Sequence, residues 1–281
     1  MEEDGRFSRK YKIIEKIGKG QFGSVLKGIC LSTQKLVAIK IEERSDMKIN
    51  LLKHESTVLH YLDSQKCKNI PSLYYYGFHS PAIVCMVMSF FREGSLDIWR
   101  PKMNSDDNMN WWNTALNILE HIHKAGIVHR DLKPQHFMRD AHHEWFLIDF
   151  GLATSYLDDS HEHIKEVEKT QIVGSPTYVS WFVHGGRDVV RRDDFLSLIY
   201  ILWELLYGSY LQRSEQQIEN KYSTDVLDSF NVWLKNQKEF GRLFRLLEKA
   251  NNVSFMVSLL SHAEKLAFKE KPNYELFYTV A

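Results

Sequence analysis

Three cysteines in 281 residues, Cys30, Cys67 and Cys85, are too few and too scattered for a disulfide framework, and none has the C-x-x-C spacing of a zinc or redox site. That scarcity predicts a reduced, intracellular protein, cytoplasmic and/or nuclear. A long apolar run is missing as well. Met1-Glu2-Glu3-Asp4 opens the chain with acid instead of an apolar segment, which predicts neither a signal peptide nor a membrane anchor. Charge of one sign is also absent: 36 Lys+Arg balance 36 Asp+Glu, so no field draws nucleic acid or an anionic membrane, and neither is expected as a partner. Six prolines and 14 glycines leave no linker, repeat or low-complexity tract apart from a hinge around Arg92 to Ser95. The 44% hydrophobic content is enough for a large core, and one domain accounts for the whole length. A monomer is expected.

Histidine, by contrast, is plentiful at 13 residues, with close pairs at His121/His123, His142/His143 and His161/His163. None has a partner Cys or carboxylate at zinc-ligand spacing, so these pairs read as structural or solvated.

The chemistry begins at Gly18-Lys19-Gly20-Gln21-Phe22-Gly23-Ser24-Val25, preceded by Ile14 and Ile17 in strand-like alternation. Glycines let backbone N–H groups approach phosphate oxygens where a Cβ would intrude. A dinucleotide-binding loop shares this pattern but needs a helix directly after it. Val25 to Ile29 alternates like a second strand instead, so a phosphate-covering hairpin is predicted. Val37-Ala38-Ile39-Lys40 follows, a β-prone run ending in a cation. Downstream, Leu51, Leu52, Glu55, Leu59 and Leu62 recur at helical spacing, which puts Glu55 on or beside the apolar face. A carboxylate there is costly unless paired, and Lys40 is the natural partner.

Met86 to Phe91 is a nearly continuous apolar run, as a central strand shows. Trp111 to Ala125 reads as an amphipathic helix stopped by Gly126. It delivers His129-Arg130-Asp131-Leu132-Lys133-Pro134-Gln135-His136, which fits H-R-D-L-x-x-x-N except at His136. Leu147-Ile148-Asp149-Phe150-Gly151 supplies a D-F-G at the expected distance. Any one of these motifs arises by chance; the five in order do not.

The ordered set resembles the protein kinases, which implies an α+β, bilobal fold with a small β-rich N-lobe and a larger helical C-lobe. In that reading residues 11–281 form one kinase domain after an extension over 1–10, with the N-lobe about 11–90, a hinge about 89–95 and the C-lobe about 96–281. The resemblance makes Asp131 the base, Lys133 and Lys40 the phosphate-neutralising cations, and Glu55 the partner of Lys40. ATP is then the cosubstrate and Mg²⁺ the metal, held by Asp149 and the residue at 136. The nucleotide would lie against Ile17, Gly18, Lys19, Gly20, Gln21, Phe22, Gly23, Ser24, Val25, Ala38, Lys40, gatekeeper Met88, the backbone of Ser89 and Phe91, and Ser95 and Met138. Asp97 is an alternative to Ser95 at the ribose.

Within the kinases, Val173-Gly174-Ser175-Pro176-Thr177-Tyr178-Val179-Ser180 replaces the usual A-P-E region, and Arg191-Arg192-Asp193-Asp194-Phe195-Leu196-Ser197-Leu198 follows. With Ile70-Pro71 and Lys271-Pro272-Asn273-Tyr274, this is similar to the casein kinase 1 family and its vaccinia-related relatives. The resemblance makes Asp194 a buried aspartate bonded to the catalytic-loop backbone, on a core helix running to Tyr207. It implies phosphoryl transfer to Ser/Thr hydroxyls of protein substrates, since Lys133 is the Ser/Thr-kinase residue.

The chain departs from the family in three places. Thr177 stands where the family carries an Arg toward a substrate phosphate. Lys165-Glu166-Val167-Glu168-Lys169 is mixed in sign where the family is basic. His136 replaces an Asn whose amide oxygen suits hard Mg²⁺; an imidazole nitrogen suits Mn²⁺ better, so weak activity with Mn²⁺ preferred is expected. Ser160, Thr170 and Ser175 read as ordinary loop residues. An active kinase and a pseudokinase scaffold are the two readings, the second supported by His136 alone.

Overall fold

The structure is a computed structural model and describes residues 7, 8, 10–20, 23–43, 51–168, 171–207 and 254–279. Gln21, Phe22 and Thr170 lie outside the described residues, as do the side chains of Lys19 and Gly20. Backbone contacts divide the chain into two compact units: Met1–Ser95 with Phe137–Gly151, and Leu96–His136 with Leu152–Ala281.

The first unit is built on an antiparallel sheet in the order β1-β2-β3-β5-β4. Its strands are β1 (Tyr11–Gly20), β2 (Gly23–Cys30), β3 (Leu36–Glu43), β4 (Leu73–Ser80) and β5 (Ile83–Ser89). Alternation decides which side each residue serves. Val37, Ile39, Cys85 and Val87 turn to one face and close a core with Phe7, Tyr11 and Cys30. Ala38 and Lys40 turn to the other. Helix α1 (Leu51–Ser64) buries Leu52, Val58, Leu59 and Leu62 at helical spacing. Glu42 of β3 accepts the Leu52 N–H at 3.1 Å, satisfying a donor of the first helical turn.

No single cut separates the two units. β6 (Gly94–Ser95) pairs with β8 (Phe137–Arg139), which pairs with β9 (Trp145–Leu147). The Leu147 N–H donates to the Asn69 carbonyl at 3.0 Å and the Asn69 amide to the Trp145 carbonyl at 2.9 Å. Residues Phe137–Gly151, which carry the D-F-G, therefore belong to the β-rich unit.

The second unit is mainly helical: α2 (Leu96–Trp99), α3 (Ser105–Lys124), α4 (Trp181–His184), α5 (Arg191–Tyr207) and α6 (Ser254–Lys265), with β7 (Ile127–Val128) paired to β10 (Thr154–Ser155). Helix α3 begins well before the predicted Trp111. The Asn104 side chain accepts the Asp107 N–H and Asp107 reaches back to the Asn104 N–H, a capping box that starts the helix there. It ends as predicted, with Gly126 at φ +82°, where a side chain would be strained. Helix α5 is buried almost all round, including Phe195, Leu198, Ile199 and Leu202. Its Glu204 is 1% exposed, held by the Tyr178 hydroxyl at 2.6 Å and by Arg100. Such a paired carboxylate belongs to a protein core, and among the described residues no helix is long and apolar enough to cross a membrane. A unit dominated by its sheet, with α1 beside it, and a mainly helical unit with one short strand pair make the α+β organisation the sequence predicts.

Candidate active site

In the first unit, β1 and β2 form the glycine hairpin, with Gly18 opposite Val25 and Gly20 opposite Gly23. The glycines differ in what they do. A Cβ on Gly23 would lie 1.9 Å from the Ile41 carbonyl oxygen, so this glycine is required by the approach of β3. Among the described residues a Cβ on Gly18 would meet only Val25, at an ordinary 3.7 Å, so their packing gives no reason for its smallness.

Register brings the other sheet residues together. Val25 lies opposite Lys40, and Ala38 opposite Met88, so these four share one face beside the hairpin. Ile17, at 46% exposure, is open to solvent. Ser89 donates its N–H to the Ser72 carbonyl at 3.1 Å and its hydroxyl oxygen accepts the Ser72 N–H. Phe91 is buried against Phe146, ring centroids 4.7 Å apart. Ser95 pairs directly with Met138 across β6–β8.

Lys40 Nζ donates to both Glu55 oxygens, at 2.7 and 2.8 Å, and lies 3.5 Å from Asp149 Oδ1. Glu55 is only 3% exposed. Burial works against the Lys40 charge, but Glu55 and then Asp149 outweigh it and raise the ammonium pKa. Burial also pushes the Glu55 carboxyl up, against the pull of Lys40. The two-pronged geometry identifies the pair as ionic. Asp149 sits at φ +67°, in the left-handed region, with its side chain 43% exposed, while Phe150 beside it is fully buried. The turn holds one carboxylate outward on a buried anchor.

In the second unit, α3 and β7 lead into the catalytic loop. Asp194, in the first turn of α5, accepts the His129 N–H at 2.6 Å and the Arg130 N–H at 2.9 Å, the backbone bonds implied by the resemblance. Arg130 adopts φ +68°, and Gly174 packs against it so closely that a Cβ would lie 2.3 Å from its carbonyl oxygen. Asp131 is thereby presented between two donors. Lys133 Nζ donates to Oδ2 at 3.0 Å and the Ser175 hydroxyl to Oδ1 at 2.6 Å, with Lys133 and Ser175 themselves 3.1 Å apart. Burial raises the Asp131 pKa, but His136, Ser175 and Lys133 together hold it below the ordinary carboxylate range. Such a group is ionised at neutral pH.

His136 ends a 3₁₀ turn over Pro134–His136 and is buried. Its Nδ1 lies 2.8 Å from the Asp131 carbonyl, which can only accept, so Nδ1 carries the hydrogen. The loop is braced at Asp131 itself. In the neutral ring Nε2 then holds the lone pair, the atom a metal would take. Ser175, read from sequence as an ordinary loop residue, is bonded to Asp131 instead. Nothing but folding brings the two together, although the Gly174 before it, needing φ +103°, marks a tight approach.

Lys40, Glu55 and Asp149 thus form one bonded set in the first unit, and Asp131, Lys133, Ser175 and His136 another in the second. Among the described residues no group of three or more His, Cys, Asp or Glu is placed to hold a metal ion. Mg²⁺ does not need one: it binds through one or two carboxylates together with substrate phosphates, and Asp149 offers the outward oxygen. The donors fit a metal that arrives with a nucleotide.

Comparison with known proteins agrees with this geometry. The family model for the protein kinase domain matches residues 11–266. A probable casein kinase I homolog of Encephalitozoon cuniculi is 30% identical over 267 residues, covering 94% of this chain and 81% of that protein.

Proposed function

The chain belongs to the protein kinase family and is of the casein kinase 1 type, and from that premise we propose that it is an ATP-dependent kinase of protein Ser/Thr hydroxyls. The observation that carries the proposal is Asp131, ionised and fixed between Lys133 and Ser175 on a loop pinned by Asp194. A group so held accepts the hydrogen of an incoming hydroxyl and aims its oxygen. The new bond forms from that oxygen to the γ-phosphorus as the bond to the β–γ bridging oxygen breaks. ADP leaves, and the hydroxyl proton passes to Asp131. Lys133 neutralises the moving phosphoryl group, and Lys40, oriented by Glu55, holds the α- and β-phosphates. Asp149 and the Nε2 of His136 are the residues that would each offer an atom to a divalent ion. Such an ion, when bound, would supply positive charge to offset that of the phosphates.

Lys133 favours Ser and Thr over Tyr as acceptors. Thr177 supplies no cation for a substrate phosphate, so it gives no support to a preference for already phosphorylated substrates. His136 also favours a second reading, a pseudokinase that holds nucleotide without turnover, because its imidazole suits Mg²⁺ poorly. Incubation with casein, labelled ATP and Mn²⁺, followed by phosphoamino-acid analysis, separates them. Label in phosphoserine and phosphothreonine is expected. Label confined to phosphotyrosine contradicts the acceptor assignment, and thermal stabilisation by ATP without any transfer selects the scaffold.

A further inference from the structure

Behind the catalytic loop runs a chain of buried hydrogen bonds that ends on a residue no motif involves in the reaction. Tyr274 opens a 3₁₀ turn over Tyr274–Phe277, and its hydroxyl is bonded to His123 Nδ1. The other ring nitrogen, His123 Nε2, lies 3.1 Å from Asp194 Oδ2. Asp194 in turn accepts the His129 and Arg130 N–H groups, and the Asp131 N–H donates to His129 Nδ1 at 3.3 Å. Tyr274, His123, Asp194 and His129 are all at most 2% exposed, so bulk solvent does not reach them.

The donor inventory sets the direction of every bond. An ionised carboxylate only accepts, so His123 Nε2 carries the hydrogen. A neutral imidazole has one N–H, so Nδ1 is the acceptor and the Tyr274 hydroxyl the donor. The opposite tautomer would set a nitrogen lone pair against the Asp194 carboxylate. The imidazolium is disfavoured by burial, which lowers the His123 pKa in spite of Asp194. Asp194 thus selects the tautomer, the Tyr274 hydroxyl holds the ring in it by donating to the Nδ1 lone pair, and Asp194 holds the loop.

We propose that Tyr274 is a positioning residue for phosphoryl transfer, acting through the tautomer of His123 and the carboxylate of Asp194 on the backbone that carries Asp131. This rests on the kinase reading above. It gives the Lys271-Pro272-Asn273-Tyr274 element, until now only a mark of resemblance, a physical task.

The test has a part that needs no variant. In the wild-type protein, histidine ¹⁵N spectra should show His123 as the neutral Nε2–H tautomer; an Nδ1–H tautomer or an imidazolium overturns the proposal, even if every variant fails to fold. In Tyr274→Phe, amide exchange at His129 and Arg130 should accelerate, and kcat fall, each on the order of tenfold, the usual cost of one buried partner lost, with the KM for ATP unchanged. Tyr156→Phe, which removes a hydroxyl bonded to the His123 carbonyl at 2.7 Å but not to its ring, should leave that exchange unchanged. Unaltered exchange at 129 and 130 in Tyr274→Phe, or an equal rise throughout α3 and α5, refutes the relay. A wild type that transfers no phosphoryl group refutes the kinase reading instead, and the tautomer and exchange still decide the relay.

Discussion

Lys40 and Glu55 show how a single pair constrains a fold as well as a reaction. Lys40→Met would leave Glu55 buried without its cation, and breaking a buried pair from one side costs about 3–5 kcal/mol. The expected result is a large drop in thermal stability together with lost ATP affinity. Lys40→Met/Glu55→Gln should recover most of the stability and none of the affinity, because it removes the stranded charge but restores no phosphate contact. Calorimetry with and without ATP reads both. At His136 the prediction concerns metal choice. Its Nδ1–H braces the Asp131 carbonyl, and an Asn amide at 136 offers a donor for the same bond and an oxygen in place of the imidazole nitrogen. His136→Asn should therefore improve Mg²⁺-supported transfer by roughly 10 to 100-fold in apparent metal affinity and narrow the Mn²⁺ preference. A Mg²⁺ titration with no change would remove His136 from the metal site.

Among the elements, α4 carries an unusual histidine. His184 donates its Nε2–H to the Pro176 carbonyl at 3.1 Å, and burial lowers its pKa from 6.5 to about 4. The unfolded chain binds this proton more tightly than the folded one, so stability falls as pH drops from 6.5 through 4 and is unaffected above that window. The loss approaches about 3 kcal/mol at the acid end, at 1.36 kcal/mol per pKa unit. His184→Gln should flatten the wild-type decline in melting temperature over this range; a mutant with the same slope would show that another group is responsible. The start of α3 gives a smaller, pH-independent effect: Asn104→Ala should cost about 1 kcal/mol through loss of the capping box.

These elements also show what a sequence displays and what it conceals. The Lys40–Glu55 pairing is legible because a carboxylate on an apolar helix stripe demands a cation, and the core nature of α5 because its residues are apolar on every side. Asn104 is missed because the apolar periodicity becomes evident only at Trp111, and the weaker Asn-x-x-Asp signal before it is overshadowed. The role of Ser175, and the partners of His123, which does read as structural, are concealed for another reason. A loop serine or a helix histidine has no distinguishing neighbours along the chain, and its partners, Asp131 in one case and Tyr274 with Asp194 in the other, are supplied only by the fold.

At the scale of the whole molecule, the chain forms two compact units, and the D-F-G segment is stitched into the β-rich one by the pairing of β6 with β8 and by Asn69. Asp131 and Lys40, the proposed base and phosphate-holding lysine, therefore rest on separately built supports. Each is stabilised by its own buried charges: Glu55 under Lys40, and Asp194 under the catalytic loop. The central claim is that this scaffold still transfers phosphoryl groups although His136 replaces the usual Asn. The most direct measurement is label transfer from ATP to casein by wild type and Asp131→Ala side by side, with Mg²⁺ and with Mn²⁺, and with ATP binding followed by thermal shift. Transfer by the wild type, stronger with Mn²⁺ and abolished in Asp131→Ala while ATP still stabilises both proteins, is the predicted result. Equal transfer by the two proteins, or none by the wild type under either metal, would contradict it.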